Sequence, residues 1–564
     1  MKSFSVSRIR FLSLCILGVA CIIIGRLYML QIVDNDIYIQ KADRQYSQSA
    51  SGVFSRGSIY FSNKDGSVVS AATLKSGVTV AINPQIIQDP EKVFTSVSSF
   101  IPLNYDQFIV KANKKNDPYE EIAKRIDTSV GEKIVGLKIP GLQVFKDRWR
   151  FYPANSLASQ TIGFLAFKGD DFAGRYGLES SYENTLKRSK GAYVNFFAQI
   201  FSNIKKPETS LEEGNIVTSI EPNVEAFFES ELAAVSKKYG SEYTGGIILN
   251  PKNGEIYAMA STPSFDLNNT KEEKNVAVFS NPLVENVYEM GSIIKPLTVA
   301  AGIDTGVITA DTTYYDKGFV VVNNKKISNF DGKERGVTTI QSALSESLNV
   351  GMAFIVSKVG NTRFSDYMYR FGLGQKTNID LPNEAKSLVS NLDSPRDIEH
   401  VTASFGQGIA LSPVATVRAL STIANGGYVI NPHIVKKIEY TLGTSKNISF
   451  PPGEQVIQKE TAIEVTRMMV KSVDQYLRQG TLKLPNYSVA VKTGTAQIVK
   501  NGVYSPDDFL HSFVGYFLAY NPQFLVFIYT VKPRGVQYSS ESLADPFMNT
   551  VKFLLNYYEI PPDR

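Results

Sequence analysis

Cysteine is nearly absent from this chain of 564 residues: there are 2, Cys15 and Cys21, and both lie in an apolar N-terminal stretch. The rest of the chain therefore has no disulfide framework and no cysteine-based zinc site. Histidine is almost as scarce, with His400, His433 and His511 far apart, so no spaced cluster marks a metal centre and no cofactor is expected. Tryptophan occurs once, against 29 Tyr and 33 Phe, a balance that suits large packed sheets and helices but marks no ligand. Charge of one sign is not in excess either. A net charge of +5 is small for this length, and no basic stripe is interleaved with aromatics, so a nucleic-acid binder is not indicated. Internal repeats and low-complexity linkers are missing. What remains is ordinary folded-protein composition, 43% hydrophobic and 20% charged, on a chain too long for one core; two or more domains are expected.

One long apolar run is present. Residues Phe11 to Val33 are broken mainly by Arg26 and Gln31. At helical rise about 23 residues cover roughly 34 Å, enough to cross a ~30 Å hydrocarbon core with some tilt. Lys2, Arg8 and Arg10 precede the run, which puts residues 1–10 in the cytoplasm and the bulk of the chain outside. No small-x-small site falls between Gly25 and Val33, so a retained single-pass anchor over 11–33 is expected rather than a cleaved signal peptide. Arg26 is costly in lipid; it is expected to snorkel to the outer interface or to face a partner membrane protein.

From Asp34 to about Asn215 the pattern is mixed, with strand-like runs such as Val78 to Ile82 and polar stretches read as helical, such as Tyr119 to Ile126. The character changes near Val217. Glu221-Pro222 opens a helix whose apolar face holds Val224, Phe227, Phe228, Leu232 and Val235, and Gly240 ends it. Gly246 to Leu249 and Glu255 to Met259 read as a β-hairpin turned by Asn253-Gly254. A second hairpin is expected from Ser512 to Phe517 and Phe524 to Tyr529, turning at Asn521-Pro522. Helices are expected between the hairpins, including Ile340 to Val359 and Pro413 to Ala424. Asp507 and Asp508 read as solvated loop residues; His511 precedes a strand and either is structural at its edge or lines the site.

Three short elements carry chemistry. In Gly291-Ser292-Ile293-Ile294-Lys295 a serine and a lysine stand at i and i+3, where they share a helix face. A serine hydroxyl needs a base, and a lysine serves once burial or a nearby cation depresses its pKa. In Ser347-Leu348-Asn349, within a helical pattern, a hydroxyl can relay a proton and an amide can hold a peptide group. In Lys492-Thr493-Gly494-Thr495, after the strand-like Ser488 to Val491, a cation and two hydroxyls suit a substrate carboxylate. Alone the first two are weak: Ser202-Asn203-Ile204-Lys205 and Ser445-Lys446-Asn447 show the same spacings. Their order and separation, roughly 55 residues and then about 145, are those of the penicillin-recognising serine enzymes.

On these residues the chain resembles a class B penicillin-binding protein. The resemblance runs nearly end to end: Gly25-Arg26-Leu27 at the membrane exit, Arg56-Gly57-Ser58-Ile59, Gly177-Leu178-Glu179 and Tyr182-Glu183 in the pedestal, Pro263-Ser264-Phe265-Asp266 before the catalytic helix, and Phe405-Gly406-Gln407-Gly408 and Ala424-Asn425-Gly426-Gly427 after it. It departs from the family at Leu348, where a small residue is common, and at Phe61 to Gly66, where an Asp-Arg-Asn-Gly stretch is usual.

The resemblance implies an α+β, mixed fold: a transmembrane helix, an elongated mixed pedestal or dimerisation-like domain over 34–215, and a transpeptidase domain over 216–564 with an antiparallel sheet flanked by helices. It implies a D,D-transpeptidase that cross-links peptidoglycan stem peptides, releases D-alanine and is acylated by β-lactams. Ser292 would be the nucleophile, Lys295 its base, Ser347 the proton relay and Asn349 the donor-orienting amide. Lys492, Thr493 and Thr495 would hold the terminal carboxylate, with Gly494 letting the substrate approach the backbone closely, and the N–H groups of Ser292 and Thr495 would form the oxyanion hole. The implied partners are the membrane, a multi-spanning glycan polymerase and other division proteins, with a division role favoured over elongation. The competing readings are a carboxypeptidase or β-lactamase-like hydrolase that passes the acyl group to water, and a non-catalytic scaffold or β-lactam sensor. A histidine-based hydrolytic triad is disfavoured, since no Gly-x-Ser-x-Gly occurs.

Overall fold

Glu221 caps the helix Pro222–Tyr239 by accepting the Val224 N–H at 2.7 Å; Pro222 sits in the first turn, where an N–H is dispensable, and Gly240 ends the helix in the left-handed conformation. Its expected apolar face is the buried one: Val224, Phe228, Leu232 and Val235 lie inside, while the half-buried Phe227 stacks on Phe553 at 4.1 Å between ring centroids. The computed structural model describes residues 17–19, 55–168, 171–188, 213–441, 443–451, 453–500 and 502–564. It divides into two units, one holding Leu74–Trp149 and the other Arg56–Thr73 with Arg150–Arg564.

In the larger unit both expected hairpins form and join into one sheet. Its five strands run Val489–Lys500, Val503–Phe517, Phe524–Val531, Tyr243–Leu249 and Ile256–Thr262 in spatial order, each antiparallel to the next. Phe527 pairs with Ile247, so the two hairpins meet edge to edge across a long stretch of sequence. The first turn needs its glycine: Gly254 has φ +85° and an added Cβ would lie 2.3 Å from the Asn431 carbonyl oxygen. One sheet face, with Val489, Val491, Phe513 and Val526, packs on Pro222–Tyr239 and the C-terminal helix Ala544–Tyr557. The other packs on Lys459–Lys471 and on Pro413–Ala424, buried along its whole length, and these flank the helix Lys295–Asp304, whose residues Lys295 to Gly302 are all buried. Each fully buried Leu, Ile or Phe contributes about 1.5–3 kcal/mol, so this double-sided core holds the sheet edge rigidly beside the buried helix.

Two pedestal motifs far apart in sequence meet in the same unit. Glu179, with no exposure, receives Arg56 Nε and Arg150 Nε, each at 2.6 Å, and the Tyr152 hydroxyl at 3.2 Å. Arg56 also pairs with Glu183 at 2.7 Å, and Arg150 donates to the Gly57 carbonyl at 2.7 Å.

The smaller unit has its own core of Val80, Ile82, Val93, Val97, Phe108 and Ile134. Here one expectation is corrected. Tyr119 to Ile126 is not helical; Glu120–Ile126 is a strand antiparallel to Val78–Ile82, with Val80 opposite Ala123. Pairing to a buried strand overrides the helical propensity of its Glu, Ala, Lys and Arg residues. A second correction falls in the larger unit: Ile340 to Val359 is two helices, Ile340–Ser345 and Asn349–Val359, broken at Glu346-Ser347-Leu348.

The apolar run 11–33 lies outside the described residues except for 17–19. Among the described residues, no helix is long and apolar enough to cross a membrane.

Candidate active site

Ser292 sits in a tight turn, Gly291–Ile294, that leads directly into the buried helix Lys295–Asp304; the Lys295 N–H donates to the Ser292 carbonyl. The turn requires Gly291 at φ +63°. A second glycine backs it. The Gly291 N–H donates to the Gly406 carbonyl at 3.1 Å, and Gly406, at φ +77°, lies so close that a Cβ there would fall 2.2 Å from the Gly291 oxygen. Glu289 ties this backing together: it accepts the Gly408 N–H at 3.0 Å and the Tyr504 hydroxyl at 3.1 Å. Burial raises its carboxyl pKa.

Both lysines of the expected constellation are buried, Lys295 at 0% exposure and Lys492 at 4%. Lys295 Nζ donates to the Ser347 carbonyl and, at 3.1 Å, to Ser347 Oγ. Lys492 Nζ donates to the same Oγ at 2.9 Å and to the Thr493 carbonyl at 2.8 Å. Burial, and then the charge of Lys492, push Lys295 well below the ordinary lysine value; burial brings Lys492 down to about 7. A lysine so depressed can be neutral at physiological pH and can take a proton from a hydroxyl.

Ser347 occupies the break between the two helices, at φ +59°. A left-handed serine costs about 1–3 kcal/mol and persists only where its surroundings hold it. Leu348 does this, burying its side chain fully in the core and donating its N–H to the Ala343 carbonyl at 2.8 Å. The bulky residue at this position therefore points away from the cleft. Asn349 Nδ2 donates to the Ser328 carbonyl at 2.9 Å, which fixes its side chain at the cleft wall.

The third motif is part of the strand Val489–Lys500 itself. Its alternation places Lys492, Gly494 and Ala496 on the face turned to the nucleophile's turn. Gly494 is needed for that approach: a Cβ there would lie 2.4 Å from Ser512 Oγ and 2.8 Å from the Met290 oxygen. Gly291, the neighbour of Ser292, faces the backbone of Thr495 in turn: a Cβ there would lie 3.4 Å from the Thr495 carbonyl. Thr495 Oγ1 accepts the Ser539 N–H at 3.1 Å.

The three motifs open onto one cleft of about 740 Å³, lined among others by Ser292, Ser347, Asn349, Thr493 and Thr495. Residues that carry no sequence motif close it: Phe330, Glu346, Tyr476, Arg478 and Tyr538. Arg478 donates to the Ser540 carbonyl at 2.7 Å and pairs with Asp545 at 2.6 Å, joining two of the cleft's boundary segments. The competing Ser445-Lys446-Asn447 is an exposed strand, and Ser202 to Lys205 lies outside the described residues. His511 lies inside a strand rather than before one, wholly buried, with Nδ1 2.8 Å from Ser542 Oγ. Burial brings it down to about 4. Asp508 is not a solvated loop residue; it is buried in the same strand and pairs with Lys500 and Arg534, whereas Asp507 is exposed.

Residues 244–552 match the penicillin binding protein transpeptidase domain, and residues 53–197 match the penicillin-binding protein dimerisation domain. The chain is 29% identical over 561 residues to Stage V sporulation protein D of Bacillus subtilis, covering 96% of this chain and 85% of that one. It is 26% identical over 568 residues to peptidoglycan D,D-transpeptidase FtsI of Buchnera aphidicola, covering 98% and 96%. The fold matches the crystal structure of penicillin binding protein 2X from Streptococcus thermophilus with a TM-score of 0.74 at 20% identity, over 90% of this chain and 80% of that one.

Proposed function

Because the chain belongs to the penicillin-binding protein transpeptidase family, we infer that its cleft joins peptidoglycan stem peptides through an acyl-enzyme on Ser292. The chain is a class B enzyme, a serine-type D,D-transpeptidase that binds penicillin. The observation that carries the residue assignment is the convergence of Lys295 and Lys492 on Ser347 Oγ, at 3.1 and 2.9 Å, in the cleft that holds Ser292.

Ser292 Oγ attacks the carbonyl between the two terminal D-alanines, and neutral Lys295 takes the hydroxyl proton. Ser347 passes a proton to the departing amine as the C–N bond breaks and D-alanine leaves. Asn349 orients the donor peptide. Lys492, Thr493 and Thr495 hold the donor's carboxylate, with Gly494 giving room for the close approach. The N–H groups of Ser292 and Thr495 stabilise the oxyanion, at about 3 kcal/mol for each donor in such sites. An amine from a neighbouring stem then opens the ester.

The reading extends to cell context. The apolar run 11–33 with its preceding cations supports a single-pass anchor, residues 1–10 inside and the bulk of the chain outside. The domain division at about residue 215 and work beside a multi-spanning polymerase in septal synthesis belong to the same proposal. Relatives named peptidoglycan D,D-transpeptidase FtsI favour the division role.

Turnover of a β-lactam tests the reaction class. One equivalent of penicillin should form a long-lived ester with the native chain and none with Ser292→Ala. Rapid hydrolysis of many equivalents would instead identify a hydrolase.

A further inference from the structure

The cleft must admit a second substrate that is itself a cation. Lys295 and Lys492 both bond to Ser347 Oγ, and Arg478, paired with Asp545, is on the cleft wall. The acyl acceptor is a primary amine, which in water near neutral pH is an ammonium. The proton that the lysine pair shares repels it. Glu346 is the one carboxylate among the described residues that line the cleft, and it immediately precedes Ser347.

Its cationic partner is shared with a second carboxylate. Arg335 Nε donates to Glu346 Oε2 at 3.0 Å, while the same guanidinium forks onto Asp331, with Nη1 at 3.2 Å and Nη2 at 2.9 Å. Two carboxylates share one guanidinium, so the trio keeps a net negative charge of one. The Glu346 side chain is 34% exposed, where an incoming group can reach it, and Arg335 fixes its direction without neutralising the trio.

We propose that Glu346 is the acceptor subsite: it receives the side-chain ammonium of the neighbouring stem and sets it down beside Ser347. This rests on the transpeptidase reading above. Once docked, the amine gives one proton to water. Its lone pair forms the new C–N bond to the ester carbonyl as the bond to Ser292 Oγ breaks. The amine's second proton passes through Ser347 to Lys295 and returns to Ser292 Oγ, which restores the free hydroxyl.

The test is the fate of a preformed acyl-enzyme, loaded on the full chain from a thioester donor and offered either a peptide with a free lysine side chain or hydroxylamine, which is uncharged near neutral pH. In Glu346→Gln the ratio of aminolysis to hydrolysis with the lysine peptide should fall roughly three- to tenfold, as for one partly screened charge pair. The hydroxylamine ratio should hold, and Glu346→Asp should keep most of the preference. An unchanged ratio with the lysine peptide, or an equal loss with both nucleophiles, would overturn the subsite. If the native chain forms no acyl-enzyme from the thioester at all, the transpeptidase reading falls first and takes the subsite with it.

Discussion

Lys295 and Lys492 direct their ammonium groups at the same atom, Ser347 Oγ, from 3.1 and 2.9 Å. Neither lysine is exposed, and burial works against two neighbouring cations, so the pair shares its protons. The serine hydroxyl between them is the path along which a proton moves from one side of the reaction to the other.

Acylation by penicillin should therefore depend on pH through this pair. The base must be neutral, so the second-order rate rises with pH, with its midpoint well below the ordinary lysine value of about 10.4. Lys492→Ala removes the neighbouring charge that depresses Lys295, and the midpoint should move to higher pH even as the overall rate falls. A rate profile with a fluorescent penicillin checks this; a midpoint that stays put would show that the two groups do not interact.

The turn that carries Ser292 should be sensitive to its glycine backing. Gly406→Ala places a Cβ 2.2 Å from the Gly291 oxygen at a φ of +77°, so the nucleophile's turn must shift. We expect a loss of about 1–3 kcal/mol in stability and at least about a tenfold loss in acylation rate, since a small misplacement of a reacting group is expensive. Urea denaturation and acylation kinetics on the same preparation report both.

Much of this site could be read from residue order. Serine and lysine at i and i+3, and the Lys492 to Thr495 strand, identify themselves because the chemistry needs those residue types at that spacing. Other parts were not legible. The apolar pattern through Ile340 to Val359 reads as one helix; the break at Ser347 exists because the buried Leu348 side chain and tertiary contacts hold a left-handed serine that local propensity disfavours. Glu120–Ile126 has helix-forming residues, and only its pairing with Val78–Ile82 makes it a strand. Glu346, Arg478 and Tyr538 come to the cleft from segments without a motif, so only the folded chain shows them there.

The junction of the pedestal motifs predicts a stability defect. Glu179 balances Arg56 and Arg150 out of contact with water. Glu179→Gln leaves the buried Arg150 without its carboxylate while Arg56 keeps Glu183, and breaking such a pair costs about 3–5 kcal/mol. The urea midpoint should drop accordingly, and an unaltered midpoint would show that the cluster contributes little.

A second carboxylate pair, Glu225 buried and Glu229 half-buried, gives stability a pH dependence. Glu225 accepts the Met259 N–H and Glu229 the Ala158 N–H, each at 2.8 Å, one helical turn apart. Burial raises both carboxyl pKa values, and the charge of Glu229 raises Glu225 further. The folded chain thus binds more protons than the unfolded chain above the ordinary carboxyl range of about 4.3, so stability falls as pH rises from there. Glu225→Gln keeps the acceptor for Met259 without the charge. Its Tm should exceed the native value near neutral pH, by about 2–4 °C for each kcal/mol relieved, and should depend less on pH. A parallel pair of Tm profiles would contradict this.

The most direct test of the central claim is intact-mass measurement after exposure of the folded chain to penicillin, followed by peptide mapping. The account predicts one added penicilloyl group, found on the peptide that holds Ser292 and absent in Ser292→Ala. A well-folded protein that gains no mass, or gains it on another residue, would contradict the account.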